Sequence, residues 1–458
     1  MTCTLSLSFI VKKGEPEMNM KPGKHLSGLA AVALLTSLMA ACGGGGGSAA
    51  KTEPPKTGAE PAANKEPVEI VFYSPNAGRT PEQFMKENGN AIKEKFPHVT
   101  VKFVQYAKGT ETADLLASGQ PLDIIISSTS TINELVDYNL QYDITELIKK
   151  YKYDLNRLEP SAVQFMQGFA GGGMYGLPIR SNTFLLFYNK NLFDKFGVSY
   201  PKEGSTWDDI YELAKKMTRT EGGTQYFGLV TSYSHMITNN QLSIPSYDTR
   251  TDKVMIEDDK FKAVVNNFAR FYQIADQKYA SDLLTKHADL FKKDQAAAMY
   301  AYYGSEMIGY PATFDWDIIS MPYFKEAMGV APQQSPAYFS IASLSKHKEQ
   351  AFEIISYLTS DEFQTRQSKD GTMPTLLDKT VQSSFAQTQA DFKGKNIKAY
   401  FSEKTAPISN KDKYNNIAAG KASTAFQEIV TGKKDTNTAL RDAAEAARKA
   451  VDAEKAKK

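Results

Sequence analysis

Cysteine is almost absent from this chain. Its 458 residues include two, Cys3 and Cys42, which excludes a disulfide-stapled scaffold and a cysteine-built zinc centre. Tryptophan is equally rare at two residues, against 24 tyrosines and 25 phenylalanines. Ring stacking on a ligand therefore falls mainly to tyrosine. Five histidines are present, none at helical metal-ligand spacing from another, so no metal is expected. There is no Gly-x-Ser-x-Gly elbow and no phosphate-cradling Gly-Lys-Ser or Gly-Lys-Thr loop. The run Gly171-Gly172-Gly173 precedes an apolar strand rather than a helix, so it is not a dinucleotide fingerprint. No cofactor is implied. The formal charge is only +2, which leaves no global attraction to nucleic acid.

What is present begins with an export signal. Lys21 and Lys24 precede an apolar segment over 26–39, followed by Ala40-Ala41-Cys42. A basic start, a short apolar stretch and small residues before a cleavage point read as a secretory signal over 1–41. The apolar stretch is short for a bilayer span. Cys42 resembles a bacterial lipobox cysteine, which implies palmitate-type lipidation and anchoring at the cell membrane on its extracytoplasmic side. Met1, Met18 and Met20 are all possible starts. Cleavage before Cys42 leaves 50 basic and 50 acidic residues and no second cysteine, so stability must come from core burial. Residues 42–67 follow as a Gly/Ala/Lys/Glu/Pro tether without apolar periodicity.

The body alternates strand and helix. Residues 68–73, 99–104 and 122–126 read as strands, with helices over 81–96 and 110–118 between them. That is an α/β pattern with mostly parallel sheets and flanking helices. Ligands sit at the carboxyl ends of such strands, which places Tyr73, Asn76, Ser127 and Ser128 at a cleft edge. Further strands are expected at 184–188, 226–230, 295–300 and 338–344. Two helices close the chain, over about 410–430 and 436–454.

One stretch organises the rest. Tyr175-Gly176-Leu177-Pro178 is followed by polar Arg180-Ser181-Asn182, then an apolar run from Phe184 to Tyr188, then Asn189-Lys190-Asn191-Leu192-Phe193 and Thr206-Trp207. This ordered set resembles the crossing segment of the extracellular solute-binding proteins of ABC importers (family 1), which include maltodextrin- and oligosaccharide-binding proteins. The strand, Ser-Lys-His-Lys-Glu and helix around 338–360 resemble the same family's return to its first lobe. The resemblance covers nearly all of 68–458. It implies a two-lobed periplasmic-binding-protein-like fold joined by hinge crossings, with one lobe at 68–179 plus 325–390 and the other at 180–324 plus 391–458. A second crossing is expected near Trp316 and a third near 390–400.

The resemblance also implies a binding function rather than catalysis. Its loops place ring donors at Tyr73, Tyr233, Tyr302, Tyr303 and Tyr338. Edge groups fall at Asn76, Ser127, Ser128, Arg180, Ser181, Asn182, His235, Ser305 and Glu306. Arg180 has a simpler alternative role as a salt bridge between lobes, and Trp207 and Trp316 read first as packing residues. The implied partners are a small polar solute, with carbohydrate favoured, the membrane through Cys42, and ABC permease subunits, the receptor itself being a monomer. Two other classes remain open: an exported glycan-acting enzyme on the same fold, with Glu306 as a test carboxylate, and a surface sensor or adhesin.

Overall fold

The computed structural model describes residues 66–274, 283–401 and 403–457. The signal segment, Cys42 and all but the last two residues of the tether lie outside the described residues.

The chain builds one sheet, leaves it, and returns. Strands β1 (Val68–Tyr73), β2 (Val99–Val104), β3 (Ile124–Ser128) and β4 (Leu177–Ser181) belong to the first sheet. Only Asn182 and Thr183 separate β4 from β5 (Phe184–Asn189), the first strand of a second sheet. That sheet adds β6 (Arg219–Glu221) and β7 (Thr224–Thr231), and a small hairpin pairs β8 (Tyr247–Asp248) with β9 (Lys253–Val254). Then β10 (Ala297–Tyr303) and β11 (Trp316–Ser320) complete the second sheet in the order β11-β5-β10-β7-β6. A return segment carries β12 (Val330–Ala331) and leads to β13 (Ala337–Ile341) and β14 (Met373–Pro374), which close the first sheet as β14-β4-β13-β3-β1-β2. Finally β15 (Lys404–Thr405) pairs in parallel with β12.

The α/β, two-lobed arrangement follows from this traffic. Strand direction departs from the expectation of mostly parallel sheets. Parallel pairing holds for β1 with β2 and β3, and for β7 with β10. Strands β13, β14, β5 and β11 run antiparallel to the neighbours they join. The reason is connectivity: a helical crossover returns the chain in the same sense, whereas β5 and β13, which enter from the other lobe, run opposite to the neighbours they meet, and a tight turn makes β6 and β7 an antiparallel hairpin.

Each sheet has its own apolar core. Around the first, Phe84 stacks on Phe103 with centroids 4.6 Å apart and meets Phe72 at a tilt, and Ile124, Ile126 and Phe339 are buried. Around the second, Phe187, Phe291, Tyr300 and Trp316 are buried together, and the closing helices Lys413–Val430 and Thr436–Lys455 pack their alanine faces there. All six residues of β5 are buried, which explains its unbroken apolar run. Edge strand β2 instead alternates buried Val99, Val101 and Phe103 with exposed Thr100 and Lys102. Trp207 is a packing residue, edge-on to Phe268 at 4.9 Å and donating its indole N–H to Gln241.

Gly176, in the Tyr-Gly-Leu-Pro motif, shows why that glycine is there. A Cβ on it would lie 2.6 Å from the Phe339 carbonyl oxygen and 2.9 Å from the Ser340 Cα. Gly176→Ala must therefore push β4 off β13. We expect it to lower unfolding stability by about 1–3 kcal/mol, read by chemical denaturation; an unchanged midpoint would contradict this packing.

Candidate functional site

The two residues between β4 and β5 are held by hydrogen bonds from every side. Asn182 donates its amide to the Ser305 hydroxyl at 2.7 Å, and its carbonyl accepts from Ser335 N–H at 2.9 Å. Thr183 accepts from Gly304 N–H at 2.8 Å, and the Ser181 hydroxyl donates to Gln334 at 2.7 Å. The second crossing, 321–336, is thus stitched to the first. Tyr400, from the chain's later passage, also borders the junction, its hydroxyl donating to the Gly304 carbonyl at 2.6 Å.

A cavity of about 760 Å³ opens at this junction, within the ~300–1,000 Å³ usual for small-molecule sites. Seven of the residues expected from sequence line it: Ser128, Arg180, Ser181, Asn182, His235, Tyr303 and Ser305. Ser128 ends β3, and its hydroxyl lies 2.8 Å from that of Ser130. Tyr303 ends β10 and stacks on Phe184 with centroids 4.3 Å apart. His235 begins a helix, Tyr233–Thr238, with its Nδ1 2.6 Å from the Ser232 hydroxyl. Burial holds the His235 imidazole below the ordinary histidine range, so it faces the cavity neutral at pH 7.

Other expected contacts sit elsewhere. Tyr73 and Tyr338 are wholly buried in the first core. Tyr73 meets the Thr112 hydroxyl at 3.0 Å, and Tyr338 donates to the Ala162 carbonyl at 2.7 Å. Their strands are covered on both faces, so neither side points to a cleft. Ser127 is buried for the same reason. Tyr233 lies flat on Phe426, centroids 4.6 Å apart, and its hydroxyl accepts from Gln427. Strand β10 runs three residues beyond the expected end because Tyr303 still pairs with Phe184. Tyr302 does not line the cavity; it packs edge-on to His235 and against His287 and Tyr300. Glu306 is held by Lys292. Asn76 accepts from the Ser128 hydroxyl at 3.4 Å but does not line the cavity.

The cavity also holds residues that sequence reasoning passed over, chiefly Arg79, Glu87, Tyr400, Lys411 and Asn416. Glu87 sits in a widened helical turn, Met85–Gly89, in which Asn90 N–H reaches back five residues to the Met85 carbonyl. Widened turns of this kind commonly mark functional positions. One Glu87 oxygen takes both Arg180, at 2.8 Å, and Arg79, at 3.3 Å. Arg180, on β4 of the first sheet, therefore pairs with a helical turn that lies between β1 and β2 of that same sheet. Lys411 is 3% exposed and donates to the Thr238 carbonyl.

The lining combines the Tyr303 ring with hydroxyl, amide, imidazole, guanidinium and ammonium groups contributed from both sheets. Residues 76–365, more than half of the chain, match the bacterial extracellular solute-binding protein family. The chain belongs to that family.

This solute-binding protein resembles solved structures at low identity. A sugar transporter of Rhizobium etli in an open conformation superimposes with a TM-score of 0.67 at 18% identity, covering 83% of this chain and 99% of that one. An ABC substrate-binding protein of Listeria monocytogenes in complex with cycloalternan gives 0.67 at 19%, covering 84% and 99%. The sugar-binding protein MalE of Xanthomonas citri gives 0.66 at 15%, covering 85% and 98%. Among curated relatives, the sn-glycerol-3-phosphate-binding periplasmic protein UgpB of Brucella abortus is 34% identical over 74 residues, which is 16% of this chain and only 17% of that protein. Among the described residues no helix is long and apolar enough to cross a membrane, and no cluster of metal-ligating side chains occurs.

Behind the site, burial first, then the charges of His235 and Lys292, hold His287 down to about 4. The unfolded chain takes that proton near the ordinary pH of about 6.5. Stability from this group is therefore complete above pH ~6.5 and drains away as the pH falls toward 4. Since the ring is only partly buried, we expect a loss of about 1–3 kcal/mol, measured by denaturation across that window. His287→Gln should flatten the slope; an unchanged slope would contradict the assignment.

Proposed function

We propose that this chain is the membrane-tethered, extracytoplasmic receptor of an ABC importer, and that it captures a carbohydrate in the cleft between its lobes. The observation that supports this best is the junction cavity itself. It sets the Tyr303 ring, backed by Phe184, beside hydroxyl, amide and guanidinium groups from both sheets. A sugar has this duality, with an apolar ring face and a polar rim, and each buried rim group left unpaired costs about 1–3 kcal/mol. The names of the structural relatives, which include a cycloalternan complex and a sugar-binding MalE, point the same way.

In this reading the lobes are 68–179 plus 325–390 and 180–324 plus 391–458, and the solute is gripped by closure about the crossings. Ser128, Arg180, Ser181, Asn182, His235, Tyr303 and Ser305 contact it. Cleavage exposes Cys42 for lipidation, residues 42–67 act as the leash, and the loaded monomer hands its cargo to permease subunits. No bond is made or broken. An inverting or retaining glycosidase needs two carboxylates across the scissile bond, whereas Glu87 is the only carboxylate among the described lining residues, and two arginines already hold it.

Titration calorimetry against plant and bacterial oligosaccharides tests the ligand class. We expect saturable binding, weakened about 10- to 100-fold by Tyr303→Ala. Silence across all of them, with binding to an amino acid or a polyamine, would overturn it. Cys42→Ser should release the protein from the membrane fraction; retention would refute the anchor.

A further inference from the structure

The cavity carries more positive charge than its own carboxylate can neutralise. Beside the first sheet, a single Glu87 oxygen is shared by two guanidiniums, Arg79 and Arg180. One negative charge cannot balance two positive ones. Facing the same space from the closing segment is Lys411, 3% exposed. Among the described residues its ammonium has no carboxylate partner, only the Thr238 carbonyl. The neighbouring Asp412 is occupied. It caps the helix Lys413–Val430 through Asn415 N–H and accepts from Asn410 and Thr249. Cationic groups thus approach from both sides. Hydrogen bonds also span the gap, from Asn133 to the Lys411 carbonyl at 2.9 Å and from Asn416 to the Ser130 carbonyl at 3.3 Å.

A neutral sugar closing into this space would strip water from the two guanidiniums and offer no countercharge to them or to the already buried Lys411. Uncompensated charge in a dry site is strongly unfavourable. An acidic group on the solute removes the conflict. Arginine offers a planar fork suited to carboxylate or phosphate, and lysine a compact point charge. We infer that the solute of this protein is an acid-bearing carbohydrate, a sugar acid or a sugar phosphate, whose anionic group is held between Arg180 and Lys411. The inference rests on the receptor reading above and narrows its substrate class. Burial holds Lys411 down to about 7, so an anion arriving near pH 8 should draw a proton onto it. The other titratable groups around the cavity are Arg79, Glu87, Arg180, His235, Tyr303 and Tyr400; of these His235 is held below its ordinary range and stays neutral at pH 8.

Matched pairs decide the matter by titration calorimetry on the mature chain. Galacturonate and glucuronate oligomers would be compared with their neutral counterparts, glucose 6-phosphate with glucose, and citrate would serve as a non-sugar acid. We expect the acid member of at least one sugar pair to bind about 10- to 100-fold more tightly. Its affinity should fall as salt rises, and near pH 8 binding should take up protons, seen by comparing buffers of different ionisation enthalpy. Lys411→Met should abolish the uptake, and Arg180→Gln should cut the acid preference about tenfold or more. If Lys411→Met does not fold, the salt and proton readings on the unaltered chain still decide. Neutral members binding as tightly as the acids would overturn the inference while leaving the carbohydrate receptor standing. Citrate alone binding would overturn both the acid-sugar inference and the carbohydrate reading, and silence from every probe would do the same.

Discussion

The two-residue crossing at Asn182 and Thr183 is the constraint on which the rest depends. A connection this short gives the two sheets little freedom to separate, so the ends of β3, β4, β7 and β10 must gather near one point. Asn182 then ties the crossing to Ser305 on one side and to Ser335 on the other. Because the crossing strands are hydrogen-bonded to one another, they form one hinge rather than three independent straps. A cavity beside such a hinge changes volume whenever the lobes rotate, which is the physical basis of the proposed capture.

The packing around the hinge explains which side chains are free to bind. The inner strands of both sheets are covered on both faces, so tyrosines inside them are consumed by the cores. Only side chains at strand ends, at helix starts or on the crossings can face the gap. Tyr303 meets that condition because it is the last residue of β10. Tyr338, inside β13, does not, and its hydroxyl is satisfied within the core. Charge follows the same geometry: Arg180 lies on the crossing strand and Lys411 just before a helix, both at the rim of the gap.

Much of the architecture was legible in the residues. The apolar run of β5 carries a local physical reason visible in sequence, whereas the reason for Gly176, close approach of the Phe339 carbonyl, appears only in the fold. Strand direction was less legible, since apolar periodicity does not record which end of a sheet the chain enters. The lining of the candidate cavity was legible where the chain's own crossing supplies it, at Arg180, Ser181 and Asn182. It was obscure where distant segments supply it. Nothing local marks Lys411 or Tyr400 as cavity residues, because their roles arise from the third passage of the chain. Glu87 lay hidden inside an ordinary amphipathic helix, and only the widened turn at Met85–Gly89 sets it apart.

Rotation of the lobes around a bound solute is directly measurable. With Cys3 and Cys42 replaced by serine, spin labels at Lys93→Cys and Lys216→Cys would report the separation of the two sheets by pulsed electron resonance. Addition of the ligand identified by calorimetry should shorten and narrow the distance distribution relative to the ligand-free protein. An identical distribution with and without saturating ligand would mean that the hinge does not close on a solute, and the account would fail.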